Sequence, residues 1–192
     1  MRLGRIQNNY TEEGFALVKE QGLDFIEICC NNAEEAEKII NARESVKALS
    51  LKTGIPISSV GRWNHDLHKD GVINEEKAEQ YKELLRTAIY LNAKTFVCGC
   101  NYDPSISLLK NYENAVEFFG MLCEIAKKSG VKVAIQNCDW NNFIVSEKHW
   151  EVVLGARPDL YIPCSALCGA SGGRRSTCSS WARSNWKCCS GS

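Results

Sequence analysis

Residues 130–143 read GVKVAIQNCDWNNF. A glycine is followed by a short apolar run, which breaks abruptly into Gln136, Asn137, Cys138, Asp139 and Trp140. A run of that length without polar alternation predicts a strand covered on both faces, as in a parallel sheet. Upstream, Tyr112, Ala115, Val116, Phe119, Leu122, Cys123 and Ala126 recur at helical spacing before Gly130. Residues 130–143 therefore read as a strand delivered by an amphipathic helix, with a polar cluster at its far end.

The same unit recurs along the chain. Strands are predicted at Leu3–Gln7, Phe25–Cys29, Ile55–Val60, Thr95–Cys98 and Lys132–Asn137, with a sixth beginning at Leu160–Ile162. The helices between them have legible ends. The first starts at Thr11, carries Glu12 and Glu13 in its first turn and stops before Gly22. The third is capped by Asn74 and has an apolar stripe of Ala78, Tyr81, Leu84, Leu85, Ala88 and Ile89. A fifth begins at Ser146, buries Trp150, Val153 and Leu154, and ends before Gly155.

Successive right-handed βαβ units fit either a doubly wound sheet or a (β/α)8 barrel. The first strand leads into NNYTEE and not into a glycine fingerprint, which argues against a dinucleotide-binding domain. Polar residues follow every strand: Gln7-Asn8-Asn9, Asn31-Asn32, Arg62-Trp63-Asn64-His65, Asn101-Tyr102-Asp103 and Gln136 to Trp140. In a barrel all such loops converge on one catalytic face, which favours the barrel, so the predicted class is α/β, of TIM-barrel type. A complete barrel takes about 250 residues. Residues 1–162 supply five units and the start of a sixth, an incomplete barrel.

Composition changes inside that sixth strand. Residues 1–162 carry net charge −4, and residues 163–192 carry +4 with no acidic residue. The last 30 residues hold 8 Ser and 5 Cys, so they are expected to form an irregular tail, read as translation out of frame from Pro163. The acidic body argues against a nucleic-acid partner. No apolar run nears the roughly 18 residues that span a membrane, and no signal peptide is evident. Six of the 11 cysteines lie in the body, mostly inside apolar strands or helices, as buried thiols do in a reducing cytoplasm.

The stretches GLDFIEICCNN (22–32), GIPISSVGRWN (54–64), AKTFVCGCN (93–101) and GVKVAIQNCDWNNF resemble the sugar phosphate isomerase/epimerase group of xylose isomerase-like TIM barrels. The likeness covers about residues 1–162. It implies a divalent-metal enzyme (Mn, Mg, Co or Zn) of carbohydrate metabolism that moves a proton next to the carbonyl of a small sugar or polyol. In such barrels a carboxylate ending the fifth strand helps hold the metal, and later strands bring Asp, His and Glu. Here the fifth-strand position is Gln136, a weaker ligand that cannot act as a base. No Asp or Glu follows Asp159 and no His follows His149. The expectation is an isomerase-like fragment without turnover. A non-catalytic interaction module is one alternative, and a metal-dependent endonuclease-like hydrolase on the same barrel is another.

Within that frame Gln136, His65 and Glu27 are the catalytic candidates, Gln136 doubling as a weak metal ligand. Arg62, Trp63, Asn64, Asn101, Asn137 and Trp140 are the candidates for holding substrate. His65 and His68 flank Asp66 and could bind metal or move protons, although ordinary polar-loop histidines are the favoured reading. Glu27 needs a partner if buried, either the active centre or an ion pair with Arg5, the pair being slightly favoured. Cys29, Cys30, Cys98, Cys100 and Cys138 near strand ends offer a minor soft-metal reading, with packing favoured. An open barrel also exposes strand edges, which predicts association or aggregation.

Overall fold

The computed structural model describes residues 3–136 and 141–161. Five strands, β1 (Gly4–Gln7), β2 (Phe25–Cys30), β3 (Ile57–Arg62), β6 (Thr95–Cys98) and β7 (Lys132–Ile135), form one parallel sheet in that order. Tyr161 extends the sheet beside β7: Ile135 donates to its carbonyl at 2.9 Å, and its N–H donates to Val133 at 3.0 Å. The sixth strand thus begins where the sequence placed it. The tail of residues 163–192, Asn137, Cys138 and Trp140 lie outside the described residues. Among those described, the sheet is an open, incomplete barrel.

Helices cover one face: α1 (Glu12–Glu20), α2 (Ala33–Thr53), α3 (Glu75–Tyr90), α4 (Leu108–Ala126) and α5 (Glu147–Ala156). Each has a side-chain N-cap of the expected type: Thr11, Asn32, Asn74, Ser107 and Ser146. α2 ends on Gly54 at φ 73°, a left-handed conformation that glycine adopts without steric cost. α5 continues through Gly155, beyond its expected end. On α4 the buried stripe includes Asn111, Asn114 and Phe118, with Tyr112 and Val116 only half-buried. Asn111 is drawn inward because its amide binds the Asp103 backbone in both directions, at 2.8 and 2.9 Å.

Alternation along the strands separates two faces. Ile26, Ile28, Val60, Phe96, Val133 and Ile135 pack under the helices and are buried. The register lines Glu27, Ser59, Thr95 and Lys132 across the opposite face in one row. Cys29, Gly61, Val97 and Ala134 form the next row, nearer the C-terminal strand ends. This opposite face is the one a closed barrel turns inward.

Two boundaries differ from expectation. β3 starts at Ile57, because Pro56 has no N–H to donate and contributes only its carbonyl, to Ile26 at 3.0 Å. It ends at Arg62, which is therefore a strand residue and not a loop residue. A small hairpin, β4 (His68–Lys69) with β5 (Val72–Ile73), follows where a plain loop was expected. Its turn is Asp70-Gly71, both at positive φ (52° and 81°), as a type I′ turn requires.

Candidate functional site

Three strand ends converge on His65, which is fully buried. Its Nδ1 lies 2.7 Å from the Tyr81 hydroxyl on α3, and its Nε2 lies 2.6 Å from Oε1 of Gln136, just past β7. An amide oxygen only accepts, so the ring hydrogen sits on Nε2, and Tyr81 donates to the bare Nδ1. Burial pushes the His65 pKa down to about 4, against the opposing bond to Gln136, so the ring is neutral near pH 7. Burial also raises the Tyr81 pKa well above its usual value, which keeps the donating proton in place.

The loop after β7 clasps this unit. Asn142 Nδ2 donates to the Gln136 carbonyl at 2.6 Å, and its Oδ1 accepts from Cys100 N–H at 3.3 Å. Asn141 donates to the His65 carbonyl and, at 3.4 Å, to Asn64 Oδ1. Gly99 is the residue that permits this closeness: a Cβ there would sit 2.4 Å from Asn142 Oδ1 and 2.7 Å from His65 Nε2.

Arg62, expected to hold substrate, points the other way. Strand alternation puts it with Ile28 and Cys30 on the helix side, where it is 1% exposed. Its guanidinium donates to Gln80 Oε1 at 2.7 Å, to Asp66 Oδ1 at 2.9 Å and to the Trp63 carbonyl at 3.3 Å, and lies 5.1 Å from the Tyr81 ring centre. Lys77 also reaches Asp66, at 3.1 Å. Arg62 thus fastens the His65 loop to α3.

Trp63 and Asn64 are half-buried at the rim. The Trp63 ring lies over Gly61, where a Cβ would come within 2.4 Å of it, leaving an aromatic surface beside the inward face. Asn101 is committed to the hairpin: its Oδ1 accepts from His68 N–H at 2.8 Å, and its Nδ2 donates to the His68 carbonyl at 2.7 Å. His68 is buried, with Nδ1 3.2 Å from the Asn101 carbonyl. Neither histidine is the solvated loop residue that the sequence favoured, because the hairpin folds the loop inward.

Glu27 has no ion pair among the described residues. Arg5 instead donates to Gln21 at 2.9 Å. Burial raises the Glu27 pKa, opposed by its hydrogen bond with Ser59. Among the described residues the thiols form no metal-binding group: Cys29 and Cys30 alternate to opposite faces, and burial pushes Cys30 up to about 12 and Cys98 well above 9. They are packing thiols.

The divalent metal implied by the resemblance does not fit the residues described. Among them no group of three or more His, Cys, Asp or Glu could hold an ion. The Gln136 oxygen and both His65 nitrogens are already bound to each other and to Tyr81. Tyr81, Asn141 and Asn142 are the parts that sequence reasoning missed. Tyr81 was legible only as one member of an apolar helix stripe. A further cleft of about 290 Å³, lined by Asn8, Asn9, Tyr10, Cys29, Glu35 and Lys38, opens at the ends of β1 and β2.

The sequence profile of the xylose isomerase-like TIM barrel family matches residues 15–156. No curated protein sequence matches the chain. Among solved structures, it is similar to 3-keto-D-glucoside 4-epimerase from E. coli, with TM-score 0.63 and 17% identity over 84% of this chain and 66% of that one. D-allulose 3-epimerase from Methylomonas sp. superposes with TM-score 0.65 at 14% identity, covering 85% and 62%. An IolI protein with a bound zinc atom gives 0.64 at 15% identity, covering 85% and 62%. The chain thus spans less than two thirds of these structures' own lengths, and the likeness is one of fold. Among the described residues no helix is long and apolar enough to cross a membrane.

Proposed function

Because the chain belongs to the xylose isomerase-like TIM barrel family, we propose that it carries the sugar-recognising part of an isomerase- or epimerase-type site and performs no turnover alone. The supporting observation is the cluster at the C-terminal strand ends: the Trp63 ring beside Gly61, with Gln136 held by a neutral His65. An aromatic surface and a fixed amide at the same end of the sheet suit a small polyhydroxylated compound, whose ring face stacks while its oxygens take hydrogen bonds. Among the described residues the same cluster holds no base free to abstract a proton, since His65 uses both nitrogens and Gln136 has no acid–base chemistry.

Titration calorimetry of the purified chain against ketoses and alditols, with and without added Mn²⁺, tests this. Sugar binding with no isomerised product is expected. Absence of binding by every sugar overturns the recognition role, and product formation with metal overturns the assignment as inactive.

A further inference from the structure

The β4–β5 hairpin leaves one buried nitrogen without a partner. His68 Nδ1 lies 3.2 Å from the Asn101 backbone carbonyl, which only accepts, so the ring hydrogen sits on Nδ1. Burial lowers the His68 pKa against that bond, and the ring is neutral near pH 7. Nε2 is therefore a bare lone pair on a side chain 5% exposed, with no hydrogen-bond partner among the described residues. A buried acceptor without a donor is a costly arrangement.

The hairpin register pairs His68 with Ile73, which puts both side chains on one face of the ribbon. Ile73 lines a groove of about 600 Å³ between the hairpin, α3 and α4, with Ala78 and Met121 as the rest of its apolar lining. Its walls carry Glu75 and Glu76 from α3 and Glu117 from α4. None of these three carboxylates has an ion pair among the described residues. Lys82 also lines the groove, but it is spent on Glu79 at 3.0 Å. Glu117 lies close enough to His68 for its charge to act on the ring. Two acceptors thus stand near each other at the inner end of the groove with no donor between them.

We propose that this groove binds a linear alkyl polyamine, with one ammonium group donating to His68 Nε2 and Glu117, a second meeting Glu75 or Glu76, and the methylenes lying on Ile73, Ala78 and Met121. Apart from the paired Lys82, the groups named here offer acceptors and negative charge, so the ligand brings donors and positive charge. A metal ion does not suit: no group of three or more His, Cys, Asp or Glu among the described residues could hold one. An alkylammonium chain uses the apolar lining as well as the carboxylates. The α3 N-terminus offsets part of the charge on Glu75 and Glu76, which makes Glu117 the stronger anchor. Solvent does not reach Nε2 in the ligand-free chain, so the lining gives way on binding. Met121, half-buried and unbranched, has that freedom. The groove lies on the helix side of the sheet, and the proposal stands apart from the sugar-recognition reading.

Calorimetry and long-range ¹H–¹⁵N correlation spectra of the full chain test this with spermidine as the probe. A 1:1 complex is expected, and the His68 Nε2 resonance should move with spermidine but not with equimolar Mg²⁺. Glu117→Gln should weaken binding at least about tenfold, as loss of a charge-assisted hydrogen bond does. Glu76→Gln should weaken it less, and Glu151→Gln, an exposed carboxylate on α5, should leave it unchanged. Absence of spermidine binding overturns the proposal. Equal weakening by Glu117→Gln and Glu151→Gln also overturns it, because the attraction would then be to an acidic surface at large. So does a His68 Nε2 resonance that stays in place while spermidine binds.

Discussion

The two faces of the sheet are built to opposite specifications. Under the helices, Ile26, Ile28, Val60, Phe96 and Val133 are at most 2% exposed and interlock with α3 and α4. On the inward face the matching row is Glu27, Ser59, Thr95 and Lys132, and Ile6 beside Glu27 is 61% exposed. Barrel interiors are ordinarily filled by bulky branched side chains. Here the described strands place their bulky apolar side chains on the helix side, while the inward face pairs this polar row with the small or apolar row of Cys29, Gly61, Val97 and Ala134. The comparison assigns most of the stability to one face and the recognition chemistry to the other.

Phe96→Ala gives the comparison its largest expected effect. Removing a fully buried aromatic ring from the helix side should cost about 3–5 kcal/mol, read as a fall in the urea midpoint. A cost below about 1 kcal/mol would mean that the helix face is loosely packed and that the contrast between faces is false.

His65, at the seam of the two faces, gives an intermediate effect that depends on pH. Its folded pKa of about 4 lies below the ordinary 6.5, so the unfolded chain binds the proton more readily. The stability contribution is complete above pH 6.5 and is lost as pH falls from there toward 4. The loss amounts to roughly 3 kcal/mol, taken from the gap between the two values. Urea midpoints followed from pH 7.5 to 4 should fall for the wild type, and fall less steeply for His65→Asn. Equal slopes would show that the ring reaches water and that the Gln136 lock opens freely.

How legible was all this in the sequence? The βαβ alternation and the helix caps could be read because they depend on local rules: apolar period, capping side chain and glycine stop. Asn74, Thr11 and Ser146 cap as expected for that reason. The Asp70-Gly71 hairpin was equally local and carried its own signal, an Asp-Gly pair flanked by strand-compatible residues. Arg62 could not be placed without the exact end of β3, because a shift of one residue exchanges the two faces. Tyr81 and Gln136 are joined to His65 across 16 and 71 residues. No spacing rule links such positions; only the folded register brings them together.

The smallest effect tests the inward face itself, and its sign is reversed. Glu27 is half-buried with Ser59 as its hydrogen-bond partner and no cation beside it among the described residues, and burial raises its pKa. A carboxyl with a raised folded pKa favours the folded state most at low pH, and that contribution is lost as pH rises through the folded value. At pH 7 the ionised group therefore works against the fold. Glu27→Gln keeps the shape and the bond to Ser59 while removing the charge, so it should raise the urea midpoint at pH 7. The gain should shrink toward zero once the pH is low enough to protonate Glu27 in both states. Loss of stability at pH 7 would mean that a cation pairs with Glu27 in solution. The inward face would then be held together by charge, with a structural share of its own that the contrast between the faces denies it.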